Sequence, residues 1–310
     1  MEKGRILLAT TSFQPQRWRE LLSAEREVVL EPDGASDPSI TYAVVWKQRP
    51  NLLASLPNLR VIFSIGAGVD HIFADPGRPD VPVVKVVADN LTQYMTEYVV
   101  WRVLDHHRQG MLFRAQQQKK AWRDPPQRPA SDISVGIMGL GTLGRAAAKV
   151  LLSLGFAING WSRTERPMPG VSTYAGDAGL IPFLNATDIL VVLLPRTQGI
   201  VNYSLLKELR RRNGLGGAVL INAGRGRLQK DADILRALED GTLKEASLDV
   251  FEVEPLPKTS RLWGHPKIFI TPHSAATSDP AHLAPIMLRQ MDAYERGEAL
   301  ENLVDLKAGY

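Results

Sequence analysis

The chain has 310 residues, a net charge of +4 and no cysteine, which excludes disulfides, thiolate metal centres and a cysteine nucleophile. The length suits two lobes of ordinary size, and no run approaches the roughly 18 uninterrupted apolar residues of a membrane helix. Basic and acidic residues alternate over most of the chain, so neither a nucleic-acid nor a membrane partner is expected, and the opening MEKGRILLAT, with no signal-peptide core, predicts a cytoplasmic location.

The first third alternates short β-branched runs with helical patterns: RILLAT (5–10), AVVW (43–46), VIFSIGAG (61–68) and VPVVKV (81–86). Such alternation predicts βαβ units and a parallel sheet. A helical pattern then runs from Thr92 to Gln116 with Tyr94, Tyr98, Trp101 and Arg102 along it, and WRDPPQRPASD (122–132) reads as a linker. Beyond it the rhythm restarts with six strand candidates: SVGIMG (134–139), AINGW (157–161), ILVVLL (189–194), AVLINAG (218–224), EASLDV (245–250) and IFITPH (268–273). The fold expected is α/β and two-lobed, with a doubly wound Rossmann domain in the second part. A helix from Pro280 to about Glu298 is expected to return the chain to the first lobe.

The second lobe opens on a glycine-rich turn. Gly139-Leu140-Gly141-Thr142-Leu143-Gly144 sits between the strand SVGIM and the helical run RAAAKVLLSLG. The first glycine permits the turn, the second clears space for a pyrophosphate, and the third lets the helix pack on the strand, while the helix N-terminus offers N–H groups to phosphate. About 20 residues on, an NAD site carries a carboxylate for the ribose hydroxyls. Here the position holds Ser162, followed by Arg163 and Thr164. A neutral Ser162 does not repel a 2′-phosphate and the Arg163 guanidinium can fork onto its oxygens, so NADPH is expected over NADH.

Three polar groups end the later strands, where an open α/β sheet places its ligand. Arg225 follows AVLINAG, Glu254 follows SLDVFEV, and His273 ends IFITPH. Beside a nicotinamide they form a chemical set. Arg225 suits the carboxylate of a 2-oxoacid, His273 suits protonation of the ketone oxygen as hydride arrives, and Glu254 can orient the imidazole and favour its charged form. His71, His106, His107, His265 and His282 have no ligand spacing, so no metal is expected.

GLGTLG, LLPRT (193–197), LINAGRG (220–226), LDVFEVEPLP (248–257) and TPH (271–273) together resemble the D-isomer-specific 2-hydroxyacid dehydrogenase family over nearly the whole chain. The resemblance implies a flavodoxin-like substrate-binding domain at 1–97 and 276–310, an NADP-binding Rossmann domain at 98–275, and closure about hinges near 90–98 and 275–282. It places the family's catalytic Arg, Glu and His on Arg225, Glu254 and His273, and its nicotinamide-carboxamide contact on Asp249. Leu194, Pro195, Arg196, Ala223 and Gly224 fall beside the cofactor. Within the family, SIGAGVDHI (64–72), MTEYV (95–99), GWSR and RLWGHP are most similar to the group that reduces glyoxylate and hydroxypyruvate with NADPH. That likeness puts Ile65, Gly66, Ala67 and Gly68 against the substrate carboxylate and Trp46 and Met95 beside the pocket, and it implies a homodimer packed through the helix after Thr92. Gly224 departs from the family's usual alanine, which suggests a more flexible loop. Phosphoglycerate- or formate-type dehydrogenases, and a non-catalytic dinucleotide-sensing corepressor, are the alternative readings.

Overall fold

The computed structural model describes residues 3–10, 14–31, 33–66, 68–86, 89–195, 199–210 and 215–305. Two compact units result, one of residues 1–91 and 277–310, the other of residues 92–276. The Pro-rich 122–132 segment is not the divider that its composition suggests. It lies inside the second unit, and the chain passes between units at Leu91/Thr92 and Ala276/Thr277.

The first unit carries β1 (Arg5–Thr10), α1 (Pro15–Leu22), β2 (Val28–Leu30), β3 (Ile40–Trp46), β4 (Val61–Ser64), α2 (Asp70–Phe73) and β5 (Val83–Lys85). Its sheet is wholly parallel in the order β2-β1-β3-β4-β5, which is flavodoxin-like. Alternate residues of one strand feed opposite cores. On β3, Tyr42, Val44 and Trp46 enter one cluster with Ile6, Leu8 and Phe63, while Ala43 and Val45 enter another with Leu7, Ala9 and Ile62. A period of two with both faces apolar reads as a continuous hydrophobic run, which is why these strands are visible in the sequence.

The second unit holds most of α3 (Asp89–His107), then α4 (Gly110–Gln118), β6 (Ser134–Met138), α5 (Thr142–Ser153), β7 (Ala157–Ser162), β8 (Val171–Ala175), α6 (Gly176–Asn185), β9 (Ile189–Val192), α7 (Tyr203–Lys207), β10 (Ala218–Asn222), α8 (Asp231–Glu239), β11 (Leu243–Leu248) and β12 (Ile268–Ile270). The parallel order β12-β11-β10-β9-β6-β7-β8 reverses between β9 and β6, the switch point at which a doubly wound sheet binds its ligand. Leu190, Val192 and Leu220 pack on one face; Ile189, Val191 and Ile221 pack on the other.

Two expectations are corrected here. The sheet has seven strands rather than six, because β8 is a half-exposed edge strand with no clean apolar pattern; β2 escaped in the first unit for the same reason. The helix expected from Thr92 to Gln116 is two helices. Gln109 takes a left-handed φ of 60°, and a Cβ on Gly110 would fall 2.0 Å from the Asp105 carboxylate, so the chain turns and restarts.

Buried polar pairs fasten both units. α9 (Pro280–Glu295) begins at the Asp279 side chain, which accepts from Ala281 N–H at 3.0 Å, and buries Leu283, Met287 and Met291 in the first unit. Near its end Glu295 takes two Arg26 N–H groups at 2.6 and 2.9 Å; this hydrogen bonding outweighs burial and holds the carboxyl at about 2. In the second unit, α3 is tied to β11 by Arg102 Nε donating to Ser247 Oγ at 2.9 Å and by His106, whose Nε2 and Nδ1 meet Ser247 Oγ and Glu245 Oε2, each at 2.7 Å. Burial pushes the His106 pKa down. Burial, the largest single effect, would raise Glu245, but the hydrogen bond to His106 together with the charges of His106 and Lys244 reverses it and its pKa is lowered.

Candidate active site

The glycine-rich turn fits a dinucleotide at each position. Gly139 has a φ of +118°, which side chains rarely adopt, and a Cβ there would lie 3.0 Å from the Leu193 carbonyl oxygen. A Cβ on Gly144 would meet the Gly139 carbonyl oxygen at 2.0 Å, so α5 packs directly on the turn. A Cβ on Gly141 would meet nothing within 4 Å, leaving open space over the first turn of α5. That turn contains no acidic residue and no side-chain cap, so its N–H groups are oriented for an anion. Thr142 is exposed and Leu143 half-buried, but the Leu140 side chain is core, packed on Gly160; only its backbone can serve a cofactor.

Ser162 ends β7, buried, with its hydroxyl donating to the Thr164 carbonyl at 2.7 Å. That bond closes a small turn and leaves Arg163, Thr164, Glu165 and Arg166 exposed. Across from it, Arg145 of α5 donates to the Pro167 carbonyl at 3.1 Å, a tether that no sequence motif announced. The residue that ends β7 therefore carries no carboxylate; Arg163 follows it directly, and Arg145 is bonded to the far end of the loop. On the β9 loop, Leu194 is buried and Pro195 exposed, and Arg196 lies outside the described residues.

β10, β11 and β12 are neighbours in the sheet, and Arg225, Glu254 and His273 follow their C-terminal ends. Asn222, fully buried at the end of β10, accepts from Gly224 N–H at 3.0 Å and donates to Gln229 Oε1 at 2.8 Å, which shapes the Arg225 turn. Arg225 Nη1 donates to the Gly224 carbonyl at 2.7 Å. Gly224 stands where the backbone comes close to the β9 loop. A Cβ there would be 2.8 Å from the Leu194 carbonyl oxygen, and neighbouring Ala223 is buried. At Gly226 the constraint is tighter, with an added Cβ 1.7 Å from the Phe251 carbonyl oxygen.

His273 Nδ1 lies 2.8 Å from Glu254 Oε2, and the other carboxylate oxygen accepts Phe251 N–H at 3.1 Å. Since a carboxylate only accepts, Nδ1 carries a proton and Nε2 is the nitrogen left for other chemistry. The imidazole is 30% exposed, enough to meet a small molecule. Its backbone sits at a φ of +53°, a conformation costing on the order of 1–3 kcal/mol. Asp249 holds it there. The Asp249 carbonyl accepts His273 N–H at 2.8 Å, and its buried carboxylate accepts Ser274 N–H at 2.8 Å, Ala275 N–H at 3.0 Å and the Thr271 hydroxyl at 2.6 Å.

In the first unit, Trp46 ends β3 with its indole against His71, ring centroids 4.8 Å apart. A Cβ on Gly66 would fall 2.1 Å from that indole. Ser64 Oγ lies 3.1 and 3.0 Å from the carbonyls of Gly66 and Gly68, which fixes the turn carrying their N–H groups. Ile65 is fully buried, so only its backbone is available; Ala67 lies outside the described residues. Met95, in the second unit, is 6% exposed and packs with Tyr98 and Val99 in the core. Among the described residues, no group of three or more His, Asp or Glu is arranged to hold a metal, and no helix is long and apolar enough to cross a membrane.

Comparison with known proteins places this geometry in company. Residues 100–275 match the family model for the D-isomer specific 2-hydroxyacid dehydrogenase, NAD binding domain. Glyoxylate/hydroxypyruvate reductase A of Salmonella paratyphi B is 38% identical over 286 residues, 89% of each chain. The crystal structure of an NADPH-dependent glyoxylate/hydroxypyruvate reductase from Sinorhizobium meliloti, in complex with NADP and sulfate, is similar with a TM-score of 0.93 at 45% identity, over 99% of this chain and 100% of that one. A probable 2-hydroxyacid dehydrogenase from Rhizobium etli, in complex with NADP, HEPES and L(+)-tartaric acid, gives 0.91 at 40% identity over the full length of both.

Proposed function

The chain belongs to the D-isomer-specific 2-hydroxyacid dehydrogenase family, and from that premise we propose that it is an NADPH-dependent reductase of small 2-oxoacids, converting glyoxylate to glycolate and hydroxypyruvate to D-glycerate. The observation that carries the reading is the 2.8 Å pairing of His273 Nδ1 with Glu254, which leaves Nε2 as the proton donor on a loop at the dinucleotide edge of the sheet. The relatives' names and the NADP in their crystals support the substrate class and the cofactor.

NADPH, when bound, supplies the hydride that C2 of the oxoacid receives. Arg225 grips the substrate carboxylate and polarises the ketone, and within the first unit the Gly66 and Gly68 N–H groups and Trp46 are the substrate-side groups that the family likeness implies. As C2 takes the hydride, the carbonyl electron pair moves to oxygen, and His273 Nε2 gives that oxygen its proton, producing the 2-hydroxyacid. Glu254 keeps the imidazole oriented and compensates its charge before the proton leaves. Gly139, Gly141 and the first turn of α5 cradle the pyrophosphate, while Arg163 and Thr164 receive the 2′-phosphate beside a neutral Ser162 that does not repel it. The second unit is thus the cofactor domain and the first the substrate domain. Met95 and the side chains of Leu140 and Ile65 serve the core.

A homodimer belongs to the same proposal. α4 buries none of its side chains, and Leu112, Phe113 and Trp122 stand exposed with Trp101 of α3, an apolar set suited to a second copy. Sedimentation of a monomer at micromolar concentration would remove this part. For the activity, kcat/KM over a panel of 2-oxoacids with NADPH and NADH is the test: turnover is expected with glyoxylate and hydroxypyruvate, and none with any 2-oxoacid overturns the reading.

A further inference from the structure

We propose that Tyr98 of α3 is a positioning residue for His273, acting through Thr271 and Asp249. This rests on the reading of His273 as the proton donor and goes beyond it by naming what holds that residue in place. The Tyr98 hydroxyl lies 2.9 Å from Thr271 Oγ1, 173 residues away in sequence. Thr271 Oγ1 donates to Asp249 Oδ1 at 2.6 Å, and a hydroxyl has only one proton to give. Tyr98 is therefore the donor in the first bond, and the relay runs Tyr98 O–H to Thr271 O–H to the Asp249 carboxylate. Burial pushes the Tyr98 pKa up, so the phenol keeps its proton.

The relay ends on the group that shapes the histidine's backbone. Asp249 Oδ1 also accepts Ser274 N–H at 2.8 Å and Oδ2 accepts Ala275 N–H at 3.0 Å, while the Asp249 carbonyl accepts the amide of His273 itself. Three successive amides are held by one residue, and His273 between them sits at a φ of +53°. A left-handed histidine stays there only while its flanking bonds hold it. Without the Tyr98 proton, Thr271 has no donor on its far side, and its hydroxyl can swing away from Asp249. Tyr98 is itself braced edge-on against Trp101, ring centroids 5.9 Å apart, so removing its hydroxyl alone leaves the ring packed.

The test compares Tyr98→Phe, Thr271→Val, Thr271→Ser and the Tyr98→Phe/Thr271→Val double variant. Displacing the acid by a fraction of an ångström is expected to lower kcat of Tyr98→Phe and Thr271→Val roughly ten- to a hundredfold, with KM for the oxoacid and Kd for NADPH held within about twofold. Thr271→Ser, which keeps the relay, stays near wild type. The double variant is no slower than Thr271→Val alone, because both changes cut one chain. In the protein without cofactor, hydrogen exchange at the Ser274 and Ala275 amides accelerates in Tyr98→Phe while the β6 amides stay protected. Unchanged kcat, additive losses in the double variant, or unchanged exchange at Ser274 and Ala275 would each overturn the proposal. Should the wild type turn over no oxoacid, the reading of the active site fails separately, and the exchange measurement still decides whether Tyr98 holds the loop. If Tyr98→Phe does not fold, the contrast of Thr271→Val with Thr271→Ser decides it.

Discussion

Two loops leave the C-terminal edge of the same sheet, one after β12 and one after β7, and they are built in opposite ways. After β12, the amides of His273, Ser274 and Ala275 are all bonded to Asp249, and the imidazole is bonded to Glu254. After β7, residues 163–167 are exposed, and the backbone is pinned by the Ser162–Thr164 and Arg145–Pro167 bonds at its two ends. On the proposed reading His273 delivers a proton to one atom within tenths of an ångström, a task that a preorganised donor suits. A phosphate dianion attracts a guanidinium over a broader range and tolerates its motion. The proposed proton donor thus stands on the more tightly bonded loop and the proposed phosphate site on the more open one.

That contrast is broken first at its rigid end. His273→Ala is expected to lower kcat by roughly two to four orders of magnitude, the usual range for a lost general acid, with NADPH affinity unchanged in a fluorescence titration. The scaffold of the neighbouring loop should be nearly as unforgiving. Gly226→Ala places a methyl on the Phe251 backbone and is expected to cost about 3 kcal/mol of stability in urea melts; an unchanged midpoint would mean that this approach is not tight.

At the open end, the effect should be on preference and not on turnover. Ser162→Asp with Arg163→Ala is expected to shift the NADPH:NADH ratio of kcat/KM roughly ten- to a hundredfold toward NADH, leaving kcat with saturating cofactor close to wild type. A retained NADPH preference would shift the phosphate contact to other groups, Arg145 first among them.

The smallest effect lies away from both loops. His106 has a folded pKa below its ordinary value of 6.5, so the unfolded chain binds its proton first as pH falls. Stability is therefore present above about pH 6.5 and lost below it, and the lowered Glu245 extends the same sign below its own ordinary value of 4.5. Urea midpoints between pH 8 and pH 5 should fall for the wild type and fall less for His106→Gln.

The strands buried on both faces were legible in the sequence, because a parallel sheet between two cores must be apolar at nearly every position. β2 and β8 were not, since they are edge strands whose residues are half-exposed. Nor was the break at Gln109, where a left-handed backbone falls on a residue with no special propensity for it. Arg225, Glu254 and His273 were legible as polar residues ending apolar strands. Their supports were not. Asn222 and Gln229 act on the Arg225 turn through side-chain amides, and Tyr98 reaches the His273 loop across 173 residues. Asp249 was expected to contact nicotinamide; its carboxylate is also the acceptor for three donors of the histidine loop, a role that only folding displays.

The most direct measurement of the central claim is the stoichiometry and handedness of the product formed from hydroxypyruvate and NADPH. One D-glycerate is expected for each NADPH consumed by the wild-type protein, and negligible product from His273→Ala. Formation of L-glycerate, or no hydroxypyruvate-dependent loss of NADPH, would contradict it.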